Sequence, residues 1–548
     1  MLAGGAFGMS AQQPYSACWQ PNQIRNWSPE TDPVAKFNRS RVPLAKRFKE
    51  PELMKANENQ WYEGQVSNAT ILYDKCSVCP AQGANNFIGY QPTYWQYMDK
   101  LVYWAGSASE GIIIPPPAPS IDAAHAQGVK VLGQLFFPPD AFGGKYSMIQ
   151  EMTENVDGKY IMAEKMYEIA KYMGFDGWFI NEEIGSSVEM WEDWIRDFYA
   201  AAHADGDYNM EIQWYSVPHW DPIVSMLKTD PNTSQFLEYG STRDRRGWAS
   251  EIGCTVEETF SKMYCGVQCV TQGLEGFNID LNQAFPTTGH VCSVSLFCPE
   301  EHSWKDNVKN LIRTPNDNGE KAYAAIKQTF ENEEKCWVNN MGDPSDISGS
   351  ESWRGISGAI LERSVITSMP FVSNMCVGVG KHRFVEGVKK NTQDWYHSGV
   401  QSILPTWRWW IENRGSAKVE IDWDDAWNHG SSFKISGLSA GDHLARLYKA
   451  MIPVTGGVAR VVFKGAAPEL KLSTESSVNP DVTLSATSTS DRNGWTVAEY
   501  DLSSLAGKTV YMIALNLKGD ISLGQIALLP SGYAPSAVEI TNLSFASI

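Results

Sequence analysis

Gly174-Phe-Asp-Gly-Trp-Phe-Ile-Asn-Glu-Glu-Ile184 reads as a short buried strand that leaves its apolar run through polar residues. Just before it, Ile161, Met166, Ile169, Ala170 and Met173 recur at helical spacing, and Gly174 is a natural residue to end that helix. Just after it, Met190, Trp191, Trp194, Ile195 and Phe198 make a second apolar helical face. Such stripes are core faces rather than ligand sites. The segment is therefore one turn of a helix–strand–helix pattern, the repeating unit of a parallel sheet or barrel.

Working outward, the same alternation covers about Asn68 to Ala325, with strand-like runs at 69–73, 100–104, 129–136, 177–181, 211–215, 235–239, 263–267 and 291–297. Eight runs are what a closed (β/α)₈ TIM barrel requires. After about Cys336 the texture changes. Gly, Ser and Asp cluster in Asn339–Ser352 as in a linker, and strand-like runs follow at 460–463, 495–500, 509–515 and 538–545. We expect a catalytic barrel with an N-terminal extension over residues 1–345. A C-terminal antiparallel β-sandwich region, of one or two sandwiches, is expected over 346–548.

A chain of 548 residues is long enough for such a division and for a deep cleft. Its formal charge of −18 argues against nucleic acid, which needs a basic surface to displace counterions. No apolar run is long enough to predict a membrane span. The 21 Trp are many, and flat indole faces suit the C–H faces of sugar rings, so composition leans towards a neutral glycan. Cys265, Cys269, Cys292 and Cys298 lie in apolar runs and read as buried thiols, while Cys76 and Cys79 read as a loop disulfide or two free thiols rather than a metal site. Residues 1–11 have small and apolar side chains but no basic start, as in the tail of a trimmed signal peptide.

Barrel enzymes carry their chemistry at the C-terminal ends of the strands. Side chains alternate along a strand, so Phe179, Asn181 and Glu183 share one face and Trp178, Ile180 and Glu182 the other. With Trp178 and Ile180 packed outward, Asn181 and Glu183 point into the mouth and Glu182 is a bystander. A retaining glycosidase normally pairs two carboxylates, but here the second position is an amide. An amide cannot attack an anomeric carbon. It can hold a substrate acetamido group so that the substrate's own carbonyl oxygen attacks, with Glu183 as acid and then base. On these residues alone, a polar strand end reads as well as a catalytic pair.

Gly174-Phe-Asp-Gly-Trp-Phe-Ile-Asn-Glu-Glu183 resembles the catalytic motif of glycoside hydrolase family 85, endo-β-N-acetylglucosaminidases that cut between the two core GlcNAc residues of N-glycans. Tyr94-Trp-Gln-Tyr-Met-Asp-Lys-Leu-Val-Tyr103, Ala124-His-Ala-Gln-Gly-Val-Lys-Val-Leu-Gly133, Leu404-Pro-Thr-Trp-Arg-Trp409 and Asp425-Ala-Trp-Asn-His-Gly-Ser-Ser432 are similar to further signatures of that family. The resemblance implies that Asn181 orients the acetamido group, that Glu183 is the general acid/base, and that Tyr215 approaches the acetamido or oxazoline group. It implies a retaining reaction through an oxazolinium, with transglycosylation as a companion activity and no metal or other cofactor. Trp214, Trp178, Trp220, Tyr239 and Phe136 are the candidates to contact substrate, and N-linked glycans of glycoproteins are the expected partner.

Two loops depart from the family pattern. Gln268 stands where the family commonly has Asp in the seventh strand, and Glu238-Tyr-Gly-Ser-Thr-Arg-Asp-Arg-Arg-Gly-Trp248 stands where the sixth-strand end is often Thr-Asn-Tyr-Trp-Trp. These positions bear on which N-glycan is accepted. A chitinase-like hydrolase would show an Asp-rich strand end before its Glu, where this chain has Trp178-Phe-Ile-Asn-Glu182. A glycan-binding protein that has lost catalysis is the rival from another class. The expected location is secreted or cell-envelope, with the cytoplasm as the alternative.

Overall fold

The computed structural model describes residues 13–535, except 50–52, 73–74, 77–78, 87–88, 106, 217–222, 240–244, 270–280, 301–319, 340–341 and 349–352. Eight parallel strands close into a barrel: β1 (Val66–Ile71), β2 (Lys100–Trp104), β3 (Lys130–Phe137), β4 (Gly177–Glu182), β5 (Glu211–Ser216), β6 (Thr233–Leu237), β7 (Met263–Gln268) and β8 (Ser293–Phe297). Neighbours in sequence are neighbours in the ring, and β8 returns to β1 with Val294 opposite Val66. Each of the eight expected runs falls on a strand, the first on Val66–Ile71, with its Tyr73 outside the described residues. The sixth begins two residues earlier than the sequence pattern suggests, so Tyr239 lies beyond its end.

The barrel interior is a stack of side-chain layers rather than a pore. At the N-terminal end, Glu211 of β5 accepts from Lys100 at 2.8 Å and from Lys130 at 2.5 Å, and the Lys100 ammonium sits 4.7 Å from the centre of the Tyr264 ring. One step up, the Ser67 hydroxyl donates to Gln213 at 3.0 Å. Above these polar layers come Ala69, Val102, Leu132, Phe179 and Phe236, an apolar plug that separates the ion cluster from the mouth.

Outward-facing residues of β4 and β5 bury themselves under helices α1 (Ile161–Met173) and α2 (Val188–Ala204), which begin and end close to where the apolar stripes predict. The Trp178 indole is fully buried, donates to the Met166 carbonyl of α1 at 3.0 Å, and meets Phe175 edge-on. It lies across Gly133 of β3, where a Cβ would come within 2.7 Å of the ring. Trp214 packs with its ring centre 5.6 Å from that of Trp191 on α2. Both tryptophans are core, so the expectation that they contact substrate is corrected. Period-2 alternation sends them to the helix-covered face.

Among the described residues, helix α3 (Glu320–Trp337) leads into two large antiparallel sheets and two two-stranded ones. A seven-stranded sheet carries the runs expected at 460–463 and 495–500, within Val458–Gly465 and Trp495–Asp501. A five-stranded sheet carries the run at 509–515, within Thr509–Leu517. The run at 538–545 lies outside the described residues. Where the sequence suggests a linker, described residues are tied down: Asn57 donates to the Pro344 carbonyl at 2.8 Å and Trp409 N–H to that of Gly342 at 3.1 Å. Barrel and sheets meet through buried polar groups. Glu362 accepts from Tyr97 and Gln60, and the Lys449 ammonium donates to the Glu362 carbonyl at 3.0 Å. Burial lowers the Lys449 ammonium to about 8, against the attraction of the Glu362 carboxylate.

Two stability predictions follow from these layers. Burial alone would raise the Glu211 carboxyl, but Lys100 and Lys130 outweigh it and hold the group at about 2. A depressed carboxyl contributes stability above its unfolded value that is lost as pH falls towards the folded one. Unfolding free energy should therefore drop by roughly 3 kcal/mol between about pH 5 and pH 2, and this component should be absent in Glu211→Gln. Trp178→Ala should destabilise the fold by about 3–5 kcal/mol in denaturant titrations. An unchanged midpoint would contradict a core role for the indole.

Candidate active site

The mouth is organised by β4. Phe136 of β3, Asn181 of β4 and Tyr215 of β5 are register partners, so three neighbouring strands deliver these side chains at one height. Asn181 is buried at 1% exposure. The Glu183 N–H donates to the Phe137 carbonyl at 2.9 Å, which extends the ladder one residue past the strand and keeps Glu183 on the same face as Asn181. Across that face the Asn181 Nδ2 donates to Glu183 Oε1 at 2.7 Å. The Glu183 side chain is half-buried, open enough to meet a ligand.

Glu182 turns the other way and is also buried at 1% exposure. Its Oε1 accepts the N–H groups of Ile184 and Gly185, both at 2.8 Å, and its Oε2 that of Ser186 at 3.1 Å. The carboxylate thus shapes the turn from β4 into α2, whose first turn is capped by Ser187 accepting from Met190 N–H. Two adjacent glutamates are separated by parity into a turn-former and a mouth residue.

Tyr215 is 8% exposed, with its ring edge-on to Phe236. Burial, then the nearby carboxylates Glu183 and Glu238, push its phenol well above the usual tyrosine range, so the hydroxyl keeps its proton and serves as a donor. Tyr239 is partly exposed and tilts against Tyr215 at 6.5 Å between ring centres; Phe136 is partly exposed beside Trp104. Trp104, at the end of β2, is the residue that sequence reasoning missed. Its ring meets Phe136, Phe179 and Phe297 edge-on at 5.2–5.7 Å, making it the centre of an aromatic floor. The signal was available, because Lys100, Val102 and Trp104 share the inward face by the same alternation that selects Asn181.

Of the expected site residues, the structure brings Asn181, Glu183, Tyr215, Tyr239 and Phe136 to one mouth. Trp178 and Trp214 lie behind it in the core, and Trp220 falls outside the described residues. Among the described residues no group of three His, Cys, Asp or Glu side chains is arranged to hold a metal, and no helix is long and apolar enough to cross a membrane. Among the described residues no two cysteines are joined in a disulfide bond; Cys76 and Cys79 are both buried, and the Ser16 hydroxyl donates to Cys79 Sγ at 3.2 Å. The mouth offers a carboxyl that can give and take a proton, an amide beside it, a phenol donor and an apolar floor.

The sequence model of Glycosyl hydrolase family 85 matches residues 73–221 and 230–383, more than half of the chain, and its first segment contains Asn181 and Glu183. Cytosolic endo-beta-N-acetylglucosaminidase of Homo sapiens is 25% identical over 387 residues, covering 66% of this chain and 45% of the relative. The Mus musculus protein of the same name is 23% identical over 396 residues, covering 68% and 47%. Cytosolic endo-beta-N-acetylglucosaminidase 1 of Arabidopsis thaliana is 23% identical over 450 residues, covering 78% and 58%. The chain spans about half the length of these curated relatives. The crystal structure of the glycoside hydrolase domain of Endo-D from Streptococcus pneumoniae superposes with a TM-score of 0.78 at 25% identity, over 95% of this chain and 84% of that one. With the matched segments running through the strands that build the mouth, the chain belongs to glycosyl hydrolase family 85.

Proposed function

We propose that the chain is a retaining endo-β-N-acetylglucosaminidase that hydrolyses the GlcNAc-β-1,4-GlcNAc bond in the chitobiose core of N-linked glycans. The observation that carries this reading is the Asn181–Glu183 pair, an amide and a carboxyl joined at 2.7 Å on the inner face of a barrel strand end. Family membership and the names of the relatives support the substrate class.

In the mechanism, Glu183 gives its proton to the glycosidic oxygen as the bond to the anomeric carbon breaks. The acetamido carbonyl oxygen of the same sugar forms the new bond to that carbon from the opposite face, giving an oxazolinium. Asn181 holds the acetamido group in line, which removes the entropy of finding that geometry. The Tyr215 hydroxyl, which keeps its proton, donates to the same group. The leaving sugar departs, water attacks the anomeric carbon, and its proton passes to Glu183, restoring both the acetamido group and the acid with net retention. A sugar hydroxyl in place of water gives transglycosylation. Trp104, Phe136 and Tyr239 supply apolar surface against the sugar rings.

The secreted or cell-envelope expectation finds no support in these relatives, which are named as cytosolic. We therefore place the activity in the cytoplasm, the compartment that the names of these relatives give.

Glu183→Gln should lower hydrolysis of a chitobiose-linked glycopeptide by roughly 10³-fold, as expected for loss of a general acid/base. Glu182→Gln should instead lose about 1–3 kcal/mol of stability while retaining most activity when folded. The reverse ranking would overturn the parity assignment. Asn181→Ala should be about 10²-fold or more slower on natural glycans, yet still turn over a preformed sugar oxazoline; loss of both reactions would refute the orienting role. Mass spectrometry of a digested N-glycoprotein should show a single GlcNAc left on Asn. An unmodified or fully glycosylated Asn after incubation with folded enzyme would sink the proposed activity, the latter favouring a protein that only binds glycan.

A further inference from the structure

We propose that Phe142 and Tyr146, on the loop that follows β3, form a stacking platform for a pyranose ring of the substrate remote from the cleaved bond. The inference rests on the glycan reading above and extends its site outward along one named loop.

The loop leaves the C-terminal end of β3, the end at which the barrel opens. Phe137, the last residue of β3, accepts the Glu183 N–H through its carbonyl. From Phe137 to Phe142 the chain advances five residues, so Phe142 lies no more than about 18 Å from that anchor beside the reacting groups. That is within reach of an oligosaccharide whose chitobiose unit occupies the mouth.

Phe142 is 74% exposed and Tyr146 55% exposed, and the turn Asp140–Phe142 has no buried residue. Apolar burial therefore does not hold this loop. Backbone geometry does. Phe142 N–H and Gly144 N–H both donate to the Pro139 carbonyl, at 2.9 and 3.2 Å, and Gly143 N–H donates to that of Asp140 at 3.0 Å. Gly143 has φ +87°, which a side chain would resist, and a Cβ on Gly144 would fall 1.7 Å from the Pro138 carbonyl oxygen. Pro138 and Pro139 stiffen the entry. A turn so tightly determined ends by presenting a phenyl ring to solvent, with Tyr146 at the first position of the helix Tyr146–Met152.

Scattered exposed aromatics are ordinary, but Phe142 and Tyr146 lie four residues apart, one ending the rigid turn and one opening the helix it leads into, at the barrel end that carries the mouth. The size of this pair identifies the occupant. Two aromatic side chains offer a few hundred Å² at most, well below the ~800 Å² per partner of a stable protein interface. It matches a sugar ring, whose C–H face needs an aromatic plane and whose hydroxyls need water or nearby polar groups. Exposed Asp140 and Lys145 in the same turn provide those groups. Because the loop is rigid before binding, stacking loses little entropy.

The test measures binding in the Glu183→Gln background, so that turnover does not enter. Affinities for a mannose-extended chitobiose glycan and for chitobiose alone are compared, with and without Phe142→Ala/Tyr146→Ala. The ratio of the two affinities should fall about tenfold, and Phe142→Trp with Tyr146 retained should keep it. An unchanged ratio, or an equal loss on both ligands, overturns the platform. So does an effect confined to the peptide part of a glycopeptide, or a change in oligomeric state on sedimentation with the ratio intact, which would assign the surface to polypeptide or to a second copy. Hydrolysis of the same extended glycan by the unsubstituted chain is scored separately: cleavage with an unchanged affinity ratio rejects only the platform, whereas a tenfold fall without cleavage rejects only the proposed reaction.

Discussion

Everything at the mouth depends on the alternation of β4 within a closed ladder. Once Trp178 and Ile180 are driven under the helices, the two-residue period of a strand leaves Phe179 and Asn181 no choice but the interior. Glu183 inherits that parity because its N–H continues the hydrogen bonding to β3, at the Phe137 carbonyl. A slip of one residue would exchange Glu183 for Glu182 and turn Trp178 into the filled barrel interior. Both flanking registers, Phe136 opposite Asn181 and Asn181 opposite Tyr215, oppose such a slip.

The layers beneath the mouth protect this arrangement. The Lys100–Glu211–Lys130 cluster satisfies the charges at the far end of the barrel, and the apolar plug above it isolates them from the site. Tyr215 feels only its own surroundings: burial first, and then the nearby Glu183 and Glu238, keep its phenol a donor. Glu182 shows how a second carboxylate is removed from the chemistry. Three backbone N–H groups occupy it, and the same bonds set the turn that starts α2.

Much of the fold was legible in the residues. The eight strand runs and the apolar stripes of the flanking helices follow from periodicity, and the Asn181–Glu183 pair follows from parity plus the polar end of one apolar run. The failures are equally physical. Tryptophan is the residue of carbohydrate sites, which makes Trp178 and Trp214 candidate sugar contacts by residue type, but their own parity sends them outward. Trp104 was overlooked because an apolar strand end carries no polar flag. The linker reading failed to anticipate Asn57, which reaches across nearly the whole barrel sequence to hold Pro344. Gly- and Asp-rich composition signals turns, and turns can be buried as readily as mobile.

What the sequence determined by itself is the local geometry: which residues are strands, which faces are apolar, and which two side chains of β4 share a face. These follow from chirality, the pleat and the partition of apolar groups from water, all of which act over a few residues. Only the tertiary structure decided how distant strands combine. The level at which Phe136, Asn181 and Tyr215 meet, the capture of Glu182 by the turn beyond it, and the aromatic floor around Trp104 are set by ring closure and interstrand register. Those relations join residues far apart in the chain, and no local pattern encodes the distance between them.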